Sequence, residues 1–80
     1  MLFRSLVHPR EVFRHAIRDA ANSFIMVHNH PSGDPTPSEM DLQVTARIEE
    51  SGEIVGITML DHIVVAAGKA VSIMQFRENR

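Results

Sequence analysis

Apolar residues recur at two different periods along this chain, and each change of period marks an element. Over residues 9–22 the positions Val12, Phe13, Ala16, Ile17, Ala20 and Ala21 return every three or four residues, which predicts an amphipathic helix with proline in its first turn. Phe24-Ile25-Met26-Val27 is an unbroken apolar run behind Asn22-Ser23, too short for a helix and suited to a buried strand. A second helical period, Met40, Val44 and Ile48, runs over residues 37–51 in register with Asp41 and stops at Gly52. Beyond it, residues 54–66 and 70–74 carry the alternation and β-branched content of strands, with Ala67-Gly68-Lys69 as a hairpin turn. Asp61-His62 interrupts the longer strand and predicts a break or bulge near Asp61. Arg77-Glu78-Asn79-Arg80 reads as a frayed end. The expected class is α/β (α+β), a mixed β-sheet packed with two helices, without internal repeat, low-complexity tract or interdomain linker.

Candidate chemistry is concentrated between the first strand and the second helix, in His28-Asn29-His30-Pro31-Ser32-Gly33-Asp34-Pro35-Thr36-Pro37-Ser38-Glu39-Met40-Asp41. Two imidazoles one residue apart, followed after a loop by a carboxylate, offer three ligands of the kind zinc takes in catalytic centres, with a fourth position left for water. Residues i and i+2 of a strand share a face, so His28 and His30 can enter one pocket while Asn29 turns away. Pro31, Pro35 and Pro37 each fix a φ angle and Gly33 permits a positive one, so the loop is stiff and sharply turned. With 5 His in 80 residues, chance produces the spacing His28-x-His30-x7-Ser38-x2-Asp41 about once in a thousand such chains.

Two capping arrangements compete for the start of the second helix. Ser38-Glu39-Met40-Asp41 matches a capping box, which would make Asp41 a purely structural residue and the histidines loop surface. Thr36 as N-cap, Pro37 at the first helical position and Glu39 at the third make another. The second reading leaves Asp41 free in the following turn, beside the hydroxyl of Ser38.

The string His28-x-His30, seven residues, Ser38, two residues, Asp41 resembles the metal-binding half of the JAMM motif of MPN (JAB1/MPN/Mov34) domains. The fuller text from His28 to Ser38 is similar to the RadC branch of that family, as are Val7-His8-Pro9-Arg10-Glu11-Val12 and Leu60-Asp61-His62-Ile63-Val64-Val65, so the likeness spans residues 2–74. The resemblance implies a partial MPN/JAB (cytidine-deaminase-like) fold and one Zn2+ per chain held by His28, His30 and Asp41. It implies Ser38 as a catalytic residue at the oxyanion or water position, in a metallopeptidase or isopeptidase-type hydrolase acting on a peptide or isopeptide. The family's general base is a glutamate on a strand upstream of the first helix, and this chain opens at Met1-Leu2-Phe3-Arg4, just after that place. Glu11 falls in the first turn of the helix, where the helix dipole favours a carboxylate. The expectation is one domain over residues 1–80 that lacks its N-terminal hairpin, and the helix-hairpin-helix segment found before it in many RadC proteins, and that holds metal without turnover. The alternative is a non-catalytic metal-binding interaction module or a DNA-repair accessory protein.

Composition narrows these choices. There is no cysteine, which excludes disulfides and a thiolate zinc site and leaves nitrogen and oxygen ligands. Formal net charge is -2 and the basic residues are scattered, against a nucleic-acid surface. Arg10, Arg14 and Arg18, with Arg4 ahead of them, form a stripe that reads as a solvated helix face. The longest apolar run, Ile63-Val64-Val65-Ala66-Ala67, is too short to span a membrane and no signal-peptide pattern opens the chain, so a cytoplasmic protein is expected. A chain this short buries only about 60–65 % of its unfolded surface. A metal or a partner would add stability, and a homo-oligomer joined at an open sheet edge is one such partner. Three histidines stand outside the motif. His8 and His15 read as exposed residues at the start and on the polar side of the first helix. His62 reads as half of a satisfied polar pair with Asp61 beside the site, or as a surface residue at a bulge.

Overall fold

Three helices and three strands follow one another in the order α1 (Pro9–Arg18), β1 (Ser23–Asn29), α2 (Glu39–Val55), β2 (Thr58–Ala66), β3 (Lys69–Ser72) and α3 (Ile73–Glu78) in a computed structural model that describes residues 9–80. The expectations for Arg4, His8 and an absent hairpin lie outside those residues. The sheet order is β1-β2-β3, with β1 parallel to β2 and β2 antiparallel to β3. This is the mixed sheet the sequence predicts. A parallel pair needs a crossover, and α2 is that crossover.

Helix α1 ends four residues earlier than its apolar period predicts. Ala20 adopts a positive φ of 54°, and the N–H of Ala21 donates to the Ala16 carbonyl at 2.9 Å, which turns the chain into β1. Val12, Phe13 and Ala16 are buried, whereas Ile17, expected on the same stripe, is 60 % exposed. Phe13 meets Phe24 of β1 edge to face at 5.5 Å, a favourable aromatic geometry. Around them Met26, Ile48, Ile57 and Met59 complete the core.

Helix α2 differs from its sequence reading at both ends. Its N-cap is Ser38, not Thr36, and it runs through Gly52 to Val55, so residue 54 is helical rather than the start of a strand. Its buried face is Asp41, Thr45, Ile48 and Gly52; Met40 is exposed and Val44 only partly buried. Gly52 sits where the helix meets the returning chain, and a Cβ there would collide with the Ile57 carbonyl oxygen. The left-handed turn falls instead at Gly56, φ 76°, whose N–H closes on the Gly52 carbonyl.

The bulge expected near Asp61 is present, one residue earlier. Phe24 pairs with Met59 and Ile25 with Asp61, so Leu60 is an extra residue on β2 and is exposed. Met59 faces the core before the bulge; His62, Val64 and Ala66 face it afterwards. Asp61 is thereby placed on the opposite side, where its Oδ2 accepts from the Ser72 hydroxyl at 2.7 Å and its Oδ1 from the backbone N–H groups of His62 and Met74 at 2.7 and 3.3 Å.

The hairpin turn holds Ala67 and Gly68 at φ 50° and 77°. After it the strand expected to reach residue 74 stops at Ser72, which caps α3, a third helix where two were expected. The C-terminal residues are helical rather than frayed: Arg77 makes a two-pronged ion pair with Glu49 of α2 at 2.7 and 2.9 Å, which raises its pKa further. No helix among the described residues is long and apolar enough to cross a membrane.

Candidate metal centre

Strand β1 delivers the first two candidate ligands. His28 lies within the strand and His30 just past its end, where its backbone N–H donates to the Val65 carbonyl at 2.9 Å and extends the parallel ladder by one step. Their side chains are 15 % and 16 % exposed, with rings edge to face at 4.8 Å, while Asn29 is exposed on the other side. The loop then turns through Gly33 at φ 88°, and Asp34 accepts the Thr36 N–H at 3.0 Å in a local turn. That hydrogen bond holds the Asp34 carboxyl below its usual range. The next helical start delivers Asp41, buried to 2 % exposure.

The Ser38 capping box and the metal reading converge on Asp41, which corrects the expectation, tied to a Thr36 cap, that it stands free. Ser38 and Asp41 form a complete capping box: the Asp41 N–H donates to Ser38 Oγ at 3.1 Å, and the Ser38 N–H donates to Asp41 Oδ2 at 2.7 Å. The carboxylate also faces both imidazoles, with Oδ1 3.1 Å from His28 Nδ1 and Oδ2 2.9 Å from His30 Nε2. Burial works against its ionisation. The hydrogen bonds to Ser38 and the two histidines outweigh it and hold the carboxyl below the ordinary value.

The hydrogen-bond roles define the donors and acceptors of the cluster. His30 Nδ1 lies 2.9 Å from the Asp34 backbone carbonyl. A carbonyl can only accept, so Nδ1 carries a proton, and in a neutral ring Nε2 is then a bare lone pair. That lone pair faces a carboxylate oxygen at 2.9 Å. The contact is attractive only with a second proton on the ring or a cation between the groups. His28 Nδ1 is buried without a hydrogen-bond partner, because its approach to Asp41 Oδ1 has the distance but not the alignment. Donation of the remote ring N–H to a backbone carbonyl is the arrangement in which metal-ligating histidines are oriented. One atom from each of His28, His30 and Asp41 lies within 4.8 Å of the others, and the three could hold a metal ion.

Two further residues complete the surroundings. His62, fully buried, stacks on His28 at 6.0 Å and 28° between rings. It is the residue beside the site rather than the surface residue, but its side-chain partner is Thr45, at 2.7 Å, and not Asp61. Burial, then repulsion from His28, lowers its pKa to about 4, so at neutral pH it is uncharged. Thr45 also donates to the Asp41 carbonyl at 2.8 Å. Nothing in the local sequence singles out Thr45; a helix position four residues after a ligand is the only clue. Ser38 stands at the rim as N-cap, and His15, expected to be exposed, is half-buried on α1.

Comparison with known proteins places this geometry. The family profile described as RadC-like JAB domain matches residues 1–79. A UPF0758 protein of Caldanaerobacter subterraneus subsp. tengcongensis is 55 % identical over 71 residues, 89 % of this chain and 30 % of the relative. A UPF0758 protein of Listeria monocytogenes serotype 4b is 59 % identical over 71 residues, again 89 % of this chain and 32 % of the relative. One of Pelobacter propionicus is 51 % identical over 74 residues, 92 % of this chain and 32 % of the relative. The chain thus spans about a third of the length of these curated relatives.

Proposed function

From the premise that the chain belongs to the RadC-like JAB domain family, we propose that it is the metal-holding part of a zinc-dependent hydrolase of the metallopeptidase or isopeptidase type. The observation that carries this reading is the His30 ring. Its Nδ1 proton is committed to the Asp34 carbonyl and its Nε2 faces the Asp41 carboxylate at 2.9 Å, where in the neutral ring a bound cation would turn two acceptors into shared ligation. Two neutral nitrogens and one carboxylate oxygen suit zinc in a site with a position left open.

A bound zinc supplies a lowered pKa to its water and polarises a carbonyl oxygen. The chain's own residues do the rest. His28 and His30 enter from one strand end and Asp41 from one helix start, so ligand positions are fixed by regular backbone rather than by a mobile loop. Ser38 Oγ uses a lone pair to cap α2, and its own proton stays available to donate to a developing oxyanion, which reconciles a structural with a catalytic role. Asp41 cannot take the proton as well, because Oδ2 already faces Ser38 and His30 and Oδ1 faces His28. The proton acceptor in this scheme is a glutamate from outside residues 9–80, as the family resemblance implies. The substrate in this reading is a peptide or isopeptide.

Metal content tests the reading. Purified protein loaded with zinc and desalted is expected to retain about one ion per chain, as the resemblance implies, and His28→Ala and Asp41→Ala to retain none. Equal metal content in all three would end it. Metal retained without any turnover by a full-length relative would favour the binding-module alternative.

A further inference from the structure

His62 is a buried histidine that the scheme above does not use, and its hydrogen bonds fix its state. Thr45 has one hydroxyl proton, and at 2.8 Å from the Asp41 carbonyl that proton can only be donated there. Thr45 Oγ1 must then accept from its other partner, so His62 Nδ1, 2.7 Å away, carries the ring proton. Nε2 is left as a lone pair, buried and without a partner. The chain of contacts has a direction: His62 donates to Thr45, and Thr45 donates to the backbone of Asp41. On its flat side the same ring is stacked on His28.

These contacts join the two halves of the metal centre. His28 and His30 are delivered by β1 and Asp41 by α2, and across the gap the candidate ligands face one another directly, with His28 Nδ1 3.1 Å and His30 Nε2 2.9 Å from the Asp41 carboxylate. His62, on β2 opposite Met26 and diagonal to His28, touches both sides at once. We propose that the Thr45–His62 pair is a positioning unit for the metal centre, a brace that sets the separation between the histidine-bearing strand and the aspartate-bearing helix and holds the His28 ring at its angle. The inference rests on the metal reading but assigns new residues to it. Residues behind first ligands typically change metal affinity by about 10–100-fold when removed, through orientation rather than through any bond to the metal.

The test uses the whole 80-residue chain with zinc as probe, in competition with a chromophoric chelator, and with cobalt(II) as spectroscopic reporter. Thr45→Val keeps the side-chain shape and removes the hydroxyl; Thr45→Ser restores it. With each variant shown to be folded by circular dichroism, Thr45→Val is expected to weaken zinc binding about tenfold and shift the cobalt visible bands, and Thr45→Ser to return both toward wild type. A purely structural role would lower melting temperature without moving the cobalt spectrum of the folded protein. Wild-type affinity and spectrum in folded Thr45→Val would overturn the brace alone, while absence of zinc binding by the wild type would remove the metal reading with it. If Thr45→Val does not fold, nitrogen-15 spectra of the wild-type imidazoles decide: protonated Nδ1 with bare Nε2 at His62 is expected, and the opposite tautomer overturns the proposal.

Discussion

Gly52→Ala should reverse the sign that a helix-interior glycine substitution usually has. Replacing glycine by alanine inside a helix ordinarily gains about 1 kcal/mol. At Gly52 the added Cβ falls inside contact distance of the Ile57 carbonyl oxygen, with the Ile57 carbonyl carbon at 3.5 Å and Phe13 Cζ at 3.6 Å closing the surroundings. The oxygen cannot swing aside, because the Ile57 N–H is bonded to the Gly52 carbonyl at 2.9 Å and the next N–H, of Thr58, to the Asn22 carbonyl at 3.1 Å. Relief requires the end of α2 to move off the chain that leads into β2. Overpacking of this kind costs about 1–3 kcal/mol, and weakening one hydrogen bond at the helix end adds about 1 kcal/mol. After the propensity gain the net loss is about 2 kcal/mol, a fall of roughly 10 °C in melting temperature for a domain of this size. Thermal and urea unfolding of the metal-free protein, followed by circular dichroism, would measure it. A melting temperature equal to or above wild type would show that helix propensity, not close approach, governs this position. Residue 52 lies about 16 Å along the helix from Asp41, so zinc affinity of the folded variant should be unchanged.

Other outcomes follow from the site and its setting. His62 has a folded pKa of about 4 against an ordinary 6.5, so the unfolded chain takes up its proton first: stability is full above pH 6.5 and falls as the pH drops toward 4. The loss is at most about 3 kcal/mol. It should be visible in metal-free wild type and reduced in His62→Phe; parallel stability curves for the two across that window would refute it. Ser38→Ala removes the α2 cap and should cost about 1 kcal/mol, with Ser38→Thr close to wild type; no change in unfolding midpoint for Ser38→Ala would contradict the capping box. Among the described strands β1 has one unpaired edge, and self-association through it is expected. Sedimentation showing a monomer at the highest soluble concentration would sink that expectation.

The grouping of His28, His30 and Asp41, which could hold a metal ion, was legible in the sequence wherever the deciding geometry is local. Alternation along a strand places His28 and His30 together, and the distance from strand end to helix start places Asp41 near them. The choice of cap was not legible, because two capping boxes overlap and the winner depends on contacts. The Thr36 N–H turns back to Asp34, and Asp41 answers both Ser38 and the imidazoles. Helix α3 was missed for a similar reason. Ile73 and Met74 carry strand character locally, but Ser72 is held by Asp61 and Arg77 by Glu49, partners 11 and 28 residues away. The link between Thr45 and His62 spans 17 residues, and no pattern in either segment announces it.

The extra residue at Leu60 means that β2 is counted in two frames, one before the bulge and one after. An uninterrupted strand with Met59 facing inward would turn Asp61 toward the metal ligands and His62 away. Deleting Leu60 would therefore leave every inward side chain where it is and give a regular strand, whereas a deletion between His62 and Ala66 would exchange the faces beyond it. Tolerance to changes in length along this strand is thus decided by parity, and loss of the extra residue at position 60 keeps His62 behind His28.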